Sequence, residues 1–159
     1  MKIRPKKLFR AFAFGEAVTW ALLIAALIVR ASELDPGWVV ATAGSIHGAM
    51  FLGYATVAAL VGVNQRWGFA RVALGVALAI VPFATVPFER RMLRRSRLEG
   101  EWRLQASSDP RDGFWIDRLF RWFIRRPFIL IAVLLAFLVI LYLTLIWLGP
   151  PTEWGTRFG

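Results

Sequence analysis

Four apolar stretches alternate with polar connections along this chain of 159 residues. They run over about residues 11–29, 38–63, 69–88 and 128–148. A helix of about 20 apolar residues is long enough to cross the hydrocarbon core of a bilayer, where the backbone must satisfy its own hydrogen bonds. The pattern therefore predicts an all-α protein, an integral membrane helical bundle with four hydrophobic segments.

The third segment differs from the others because Pro82 and Pro87 lie near its end. Proline removes a backbone donor, so this segment is expected to kink or to stop early. Its length slightly favours a full span, but a re-entrant segment that returns to its starting side is the alternative. Lys and Arg tend to stay cytoplasmic. Four spans divide the 20 basic residues nearly evenly, whereas re-entry places 18 of them on the cytoplasmic side.

The first segment follows a basic N-terminus and in that respect resembles a signal peptide. However, Glu16 interrupts its apolar run, and the stretch from Arg30 to Ser32 lacks a pair of small residues around a cleavage point. We therefore predict that it is retained as a transmembrane helix.

The long polar connection over residues 89–127 holds eleven arginines and six acids. Asp109 suits a helix N-cap and Pro110 the first helical position, so a helix is predicted to begin there. Its apolar and charged residues fall on opposite sides, as in a helix lying in the headgroup plane; a protein–protein face is the alternative. The predicted contacts with lipid headgroups or a partner are Trp115, Arg118, Arg121, Trp122 and Arg125.

Composition agrees with a membrane location, since 58% hydrophobic residues are too many for one small soluble core. The length predicts a single membrane domain over residues 1–159. The 20 basic residues outnumber the 10 acids, but they flank apolar segments, so we predict contact with anionic headgroups and no nucleic acid. With no cysteine and one histidine, neither a Cys-based zinc site nor a multi-His site can form, and no metal or cofactor is predicted.

Glu16 and His47 are the two ionisable residues inside the apolar segments, and such groups are costly enough to suggest function. If the first two helices are antiparallel, the two lie about 10 Å and about 16 Å from the same membrane side, at 1.5 Å per residue. Side chains can bridge that difference. The first interpretation of the pair is a structural hydrogen bond between the helices. The alternatives are that the pair shares a proton, binds a cation or holds a ligand headgroup, or that the two side chains do not meet.

Small residues surround His47 in the second segment. Gly44, Gly48 and Gly53 lie among Ala and Ser residues, a pattern that lets helix backbones approach closely. We therefore predict helix packing at these three glycines, with the second helix at the centre of the bundle.

Several of these residues together resemble a known family. The run from Gly44 to Gly48, with Glu16 before it and Pro87-Phe88-Glu89-Arg90 after it, is similar to small bacterial membrane proteins of the domain of unknown function 3817 family. The resemblance covers roughly residues 8–93. It implies bacterial inner-membrane residence and supplies no activity. It also emphasises certain positions: Glu16, His47, Gly48, Tyr54 and Glu89.

Two function classes follow from these observations. The chain contains no phosphate-cradling glycine loop, no His-Glu-x-x-His helix and no serine in a nucleophile elbow, so an enzyme is not predicted. The first class is an accessory, assembly or interaction subunit of a larger membrane complex, with a membrane-protein partner or a second copy of the chain. The second is a small proton-linked or ligand-handling protein centred on Glu16 and His47.

Overall fold

Two long antiparallel helices form the centre of the fold. The computed structural model describes residues 3–32 and 37–148; α1 spans Pro5–Ala31 and α2 spans Val39–Asn64. Pro5 occupies the first turn of α1, where its missing N–H needs no partner. At 27 and 26 residues both helices are long and apolar enough to cross a bilayer. The first two predicted segments are confirmed as helices.

The third segment is interrupted, as its prolines predict. Helix α3 spans Phe69–Ala77, and a 3-10 turn, Leu78–Ile80, ends it. Val81 is extended (φ −99°, ψ 122°), because the ring of Pro82 disfavours helical geometry at the preceding residue. The chain then turns, with Phe83 in the left-handed region (φ 64°). The apolar helical run is only 12 residues, about 18 Å, which is too short to cross the hydrocarbon core.

A further helix, α4, spans Thr85–Arg94 and completes a hairpin with α3. Pro87 is tolerated inside α4 because it lies in the first turn, where backbone N–H groups have no helical partner. The single apolar segment expected over residues 69–88 is therefore two helices, one on each side of a bend.

The outgoing arm of the hairpin, α3, runs antiparallel to α2. Near its start Val72 packs directly on Gly62, where an added Cβ would lie 2.5 Å from the Val72 side chain. At the far end of the arm, the indole N–H of Trp20 donates to the carbonyl oxygen of Ala79 (2.9 Å). The hairpin thus reaches the middle of α1.

The returning arm, α4, runs back along α1 towards its N-terminus. The Thr85 hydroxyl donates to the carbonyl oxygen of Ala13 (2.9 Å), and beyond the arm the Trp102 indole N–H donates to that of Ile3 (2.7 Å). The hairpin therefore begins and ends at the same end of the α1–α2 pair, so α3–α4 has the geometry of a re-entrant segment.

Aromatic rings fill the space between these helices. Phe9 is fully buried, with its ring centroid 5.7 Å from Tyr54, 5.8 Å from Trp67 and 6.3 Å from Phe88. Each of the four comes from a different part of the chain: α1, α2, the α2–α3 connection and α4. Aromatic pairs at such spacings add stabilisation beyond their buried area, so this cluster fastens the hairpin to the two long helices.

The Arg-rich connection folds against the end of the pair that carries the N-terminus. A 3-10 turn, Pro110–Gly113, precedes α5, which spans Trp115–Arg125. Asp109 acts as the predicted cap, its side chain accepting from the backbone N–H of Arg111 (2.9 Å). The longer helix predicted from Pro110 is not formed, because Phe114 is extended and separates the turn from α5.

The last helix, α6, spans Pro127–Leu148 and agrees with the fourth predicted segment. It is long and apolar enough to cross a bilayer. It belongs to a second compact unit that begins at Arg126, whereas the helices above belong to the unit that ends at Arg125. The described residues are helical without strands, which confirms an all-α protein with the composition of a membrane bundle.

Candidate functional site

Glu16 lies in the packed part of α1 and is fully buried. Both oxygens of its carboxylate are enclosed, and neither has a hydrogen-bond partner among the residues that the structure describes. A buried carboxylate without donors is costly and is unusual in a purely structural position. Glu16 is therefore the first candidate functional group.

His47 of α2 approaches Glu16 without a direct hydrogen bond. Its Nδ1 lies 4.0 Å from Oε1 of Glu16 and 3.1 Å from the hydroxyl oxygen of Thr19. That hydroxyl donates to the backbone carbonyl of Glu16 (3.0 Å), so its oxygen is free to accept a hydrogen bond from the Nδ1–H of His47. A shift of about 1 Å would bring carboxylate and imidazole into hydrogen-bond range. The arrangement can hold a proton or a small polar ligand between the two groups.

Trp20 completes this polar group. Its ring centroid lies 4.4 Å from that of His47, with the planes tilted by 54°. Its indole N–H donates to Ala79 in the last helical turn of the hairpin, where carbonyls lack helical partners. Trp20 therefore links the Glu16–His47 pair to the tip of the hairpin.

The sequence reasoning missed Thr19 and Trp20, although a signal was present. The two follow Glu16 by three and four positions, which places them on its helix face. Both side chains can form hydrogen bonds, and residues three and four positions after a carboxylate in an apolar helix are its nearest neighbours along that helix.

Two further positions emphasised by the family resemblance, Tyr54 and Glu89, are buried. The Tyr54 hydroxyl donates to the carbonyl oxygen of Gly75 (3.1 Å), so Tyr54 fixes the middle of α3. Glu89 of α4 is 1% exposed, and its Oε1 has no hydrogen-bond partner among the described residues. Tyr54 thus has a visible structural task, whereas Glu89 is a second enclosed carboxylate.

The three glycines predicted for helix packing lie in two different environments. Gly53 faces the Phe12 ring so closely that an added Cβ would collide with it. At Gly44 and Gly48 an added Cβ would meet nothing within 4 Å in the described part of the chain. Gly53 therefore serves α1–α2 packing, and the other two glycines leave an open face on α2.

A charged cluster orders the Arg-rich connection. Asp112 is 3% exposed and accepts from Arg66 (3.0 Å), Arg103 (2.6 Å) and the hydroxyl and backbone N–H of Ser107 (both 2.7 Å). The Ser107 hydrogen bonds, aided by the two guanidinium groups, lower the pKa of Asp112 to about 2. Hydrogen bonds from Arg111 hold the pKa of Asp109 well below its usual range.

Arg103 joins that cluster to the end of α2. Its guanidinium donates to the backbone carbonyls of Val63 (2.5 Å) and Asn64 (2.8 Å), which lie in the last turn of the helix. A cation there satisfies orphan carbonyls and complements the helix dipole. The connection is therefore an ordered cap on one end of the bundle.

The five predicted headgroup or partner contacts on α5 do not share one environment. Trp115, Arg118, Trp122 and Arg125 are exposed. Arg121 is 8% exposed and donates to the backbone carbonyl of Asp112 (2.6 Å), so its guanidinium is used inside the cluster. Arg121 is buried on the inward face of α5 together with Phe120 and Ile124. It can be buried there because the buried Asp112 carboxylate lies 3.5 Å from its guanidinium.

In the described ranges, 3–32 and 37–148, no three His, Asp or Glu side chains are grouped as metal ligands.

Comparison with known proteins gives a family and a relative. The family model described as "Domain of unknown function (DUF3817)" matches residues 6–94. "Putative membrane protein SCO5905" of Streptomyces coelicolor is 34% identical over 108 residues, which cover 65% of this chain but 12% of that protein. No solved structure matches.

Proposed function

Since the chain belongs to the DUF3817 family, whose description assigns no activity, we propose from its geometry that it is an accessory, assembly or interaction subunit of a larger membrane complex. The observation that carries this proposal is an open small-residue face on α2, which we call the small-residue face: Ala41, Gly44, Ser45, Gly48 and Ala49.

The small-residue face has the features of a helix-docking surface. Ala41, Ser45 and Ala49 follow one another at one-turn intervals and are exposed, and Gly44 and Gly48 beside them are only partly covered. The Ser45 hydroxyl donates to the backbone of its own helix (2.8 Å), so it leaves no unpaired proton on the surface. In lipid, helices associate where small residues let backbones approach. A helix from a partner or from a second copy fits this face.

The Streptomyces relative supplies independent support. This chain spans about 12% of the length of that protein, so a similar stretch occurs there as a small part of a much larger chain. A stretch that is joined to many other segments in one relative fits a component that works in association.

We further propose that the protein is a multi-pass protein of the bacterial inner membrane, with the N-terminus, the hairpin ends and the Arg-rich connection in the cytoplasm. The return of α4 to the N-terminal end of α1 supports this topology, as does the Lys and Arg distribution. Because the chain has no cysteine, single cysteines report sidedness cleanly. A membrane-impermeant maleimide applied to spheroplasts should label Ser32→Cys at once and Ser108→Cys only after lysis. Immediate labelling of Ser108→Cys would refute this topology.

The subunit proposal is tested by extraction in mild detergent, size separation and identification of what co-migrates in stoichiometric amount. The wild-type chain should elute with a partner or as a defined oligomer. Ser45→Leu should release it, because a large side chain closes the small-residue face. Val18→Leu, at a 58% exposed position of α1, is the matched control and should leave the complex intact. A wild-type chain that migrates as a single copy would end this proposal.

A second candidate function is handling of a proton or a small polar ligand at Glu16 and His47. It is supported by the enclosed carboxylate without a donor and by the imidazole 4.0 Å away. His47 is the single histidine of the chain, so its nitrogen NMR signals report this site alone. The midpoint of the pH-dependent change in those signals should move in Glu16→Gln and stay in place in Glu99→Gln, whose carboxylate is exposed. A midpoint that is unchanged in both variants would leave the pair a structural contact.

A further inference from the structure

A groove of about 650 Å³ separates the two arms of the hairpin. Its walls are apolar over most of their length, formed by Leu74 of α3 and Leu78 of the 3-10 turn on one side and by Pro87 and Phe88 of α4 on the other. The groove belongs neither to the Glu16–His47 pair nor to the small-residue face.

Four arginines line the same groove: Arg71 from the first turn of α3, Arg91 and Arg94 from the last turn of α4, and Arg95 directly after that helix. Because α3 starts and α4 ends at the same end of the bundle, these four side chains gather at one end of the groove. The groove has no acidic residue in its lining. It therefore has a basic mouth and an apolar interior.

The arginines of the groove differ from those of the charged cluster around Asp109 and Asp112. Arg66, Arg103, Arg111 and Arg121 all lie within 3.5 Å of an aspartate oxygen. Across the described residues no ion pair is found for any of the four groove arginines. A concentration of unneutralised guanidinium groups repels itself and favours an anion, above all a phosphate, which they can bind in bidentate fashion.

The position of the groove indicates that the bound anion also has an apolar part. In the proposed topology the apolar walls lie along a hairpin that enters the membrane, and the arginines lie at its cytoplasmic end, at the depth of lipid headgroups. Basic pockets at the cytoplasmic ends of membrane helices are suited to anionic lipid headgroups. A soluble anion would use the arginines but leave the apolar walls unfilled.

We propose that this groove is a binding site for an anionic phospholipid, whose phosphate is held by Arg71, Arg91, Arg94 and Arg95 while an acyl chain lies against Leu74 and Leu78. The proposal requires the membrane location and the hairpin but no partner protein. It therefore stands or falls separately from the subunit proposal.

The test is native mass spectrometry of the full-length chain in detergent, titrated with phosphatidylglycerol or phosphatidylcholine. One phosphatidylglycerol should bind in preference to phosphatidylcholine. Arg91→Gln/Arg95→Gln should weaken that binding by about twenty-five-fold, because each basic side chain near a headgroup contributes about fivefold. The matched control, Arg90→Gln/Arg97→Gln, removes the same charge from exposed positions outside the groove and should change binding by less than about threefold.

The acyl part of the site has its own variant. Leu78→Trp fills the groove without changing charge and should remove the bound lipid, whereas Leu22→Trp, on an exposed position of α1, should not. A single symmetrical elution peak for each variant shows that it is folded.

Three results would overturn the proposal. They are equal binding of the two lipids, equal loss in the groove and control double variants, and displacement of the lipid by millimolar glycerol phosphate. The last would reassign the arginines to a soluble phosphate ligand.

Discussion

The two halves of the α1–α2 pair differ in what covers them. In the half that carries the N-terminus, the hairpin and the Arg-rich connection pack over the helices, and Phe9, Ala13 and Tyr54 are fully buried. In the other half, exposed apolar residues such as Leu22 and Ile28 face outward. The Glu16–His47 pair lies at the boundary, level with the tip of the hairpin. The short α3–α4 hairpin thus buries one half of the α1–α2 helix pair, and its tip lies next to the Glu16–His47 pair.

The largest effect is expected in the covered half at Phe9. Phe9→Ala should lower the free energy of unfolding by about 3–5 kcal/mol, because it empties a fully enclosed site among three aromatic rings. Phe14→Ala is the control, since Phe14 is 38% exposed on the same helix. Unfolding by sodium dodecyl sulfate in mixed micelles, followed by circular dichroism, measures both. Equal losses would contradict the division into a covered and an open half.

The glycines of α2 sharpen the comparison within a single helix. Gly53→Ala should cost about 1–3 kcal/mol, because the new methyl group collides with the Phe12 ring. Gly48→Ala should be neutral or slightly stabilising when the chain is separated from partners, since nothing lies within 4 Å of the added carbon. The same micelle titration measures the free energy of unfolding of both variants. If Gly53→Ala is as stable as the wild type, the Phe12 ring moves aside freely.

A smaller effect is expected where the hairpin is fastened to α1. Thr85→Val keeps the shape of the side chain but removes its hydrogen bond to Ala13, which should cost about 0.5–1.5 kcal/mol. Thr144→Val in α6 is matched, because the Thr144 hydroxyl donates only to Ile140 of its own helix. If both substitutions cost the same, the bond between the hairpin and α1 adds nothing to stability.

The smallest effect on the whole chain is expected from protonation of Asp112, because it acts within the charged cluster of the Arg-rich connection. The pKa of Asp112 is lowered from 3.8 to about 2, so its stabilisation is complete above about pH 4 and is lost as the pH falls through about 2. The chemical shift of the Ser107 amide proton, which is hydrogen-bonded to Asp112 (2.7 Å), should report this loss. In Asp112→Asn the shift should be altered already at neutral pH. A midpoint near 4 in the wild type would contradict the cluster.

Much of the fold was predictable because lipid leaves a long apolar run few options. The runs at 11–29, 38–63 and 128–148 lie within α1, α2 and α6 or within one residue of them. The break at Pro82 was predictable from proline chemistry. The choice between crossing and returning depends on tertiary hydrogen bonds, such as that of Trp20 with Ala79, which hydropathy does not contain.

For the candidate site, the sequence predicts the level of Glu16 and His47 along the helices but not the contacts that their side chains make. Residue counts along antiparallel helices suffice to bring Glu16 and His47 to a similar level, and they lie 4.0 Å apart. The rotation of α1 about its axis decides that Thr19 contacts His47. A helix that is apolar all round has no periodicity from which that rotation can be read. The acid–arginine pairing that buries Arg121 likewise requires the turn at Asp112, which a helical projection of α5 omits.

The interrupted backbone of the hairpin also constrains how the protein is made. Two hydrogen bonds to α1 hold the bend between Ile80 and Thr85 in place. Trp20 of α1 donates to the carbonyl oxygen of Ala79 before the bend, and Thr85 after the bend donates to the carbonyl oxygen of Ala13 in α1. Before α1 and α2 have entered the membrane those partners are absent, and irregular backbone cannot remain in lipid alone. We therefore expect an ordered biogenesis, in which the two long helices insert first as independent spans and the hairpin packs against them afterwards.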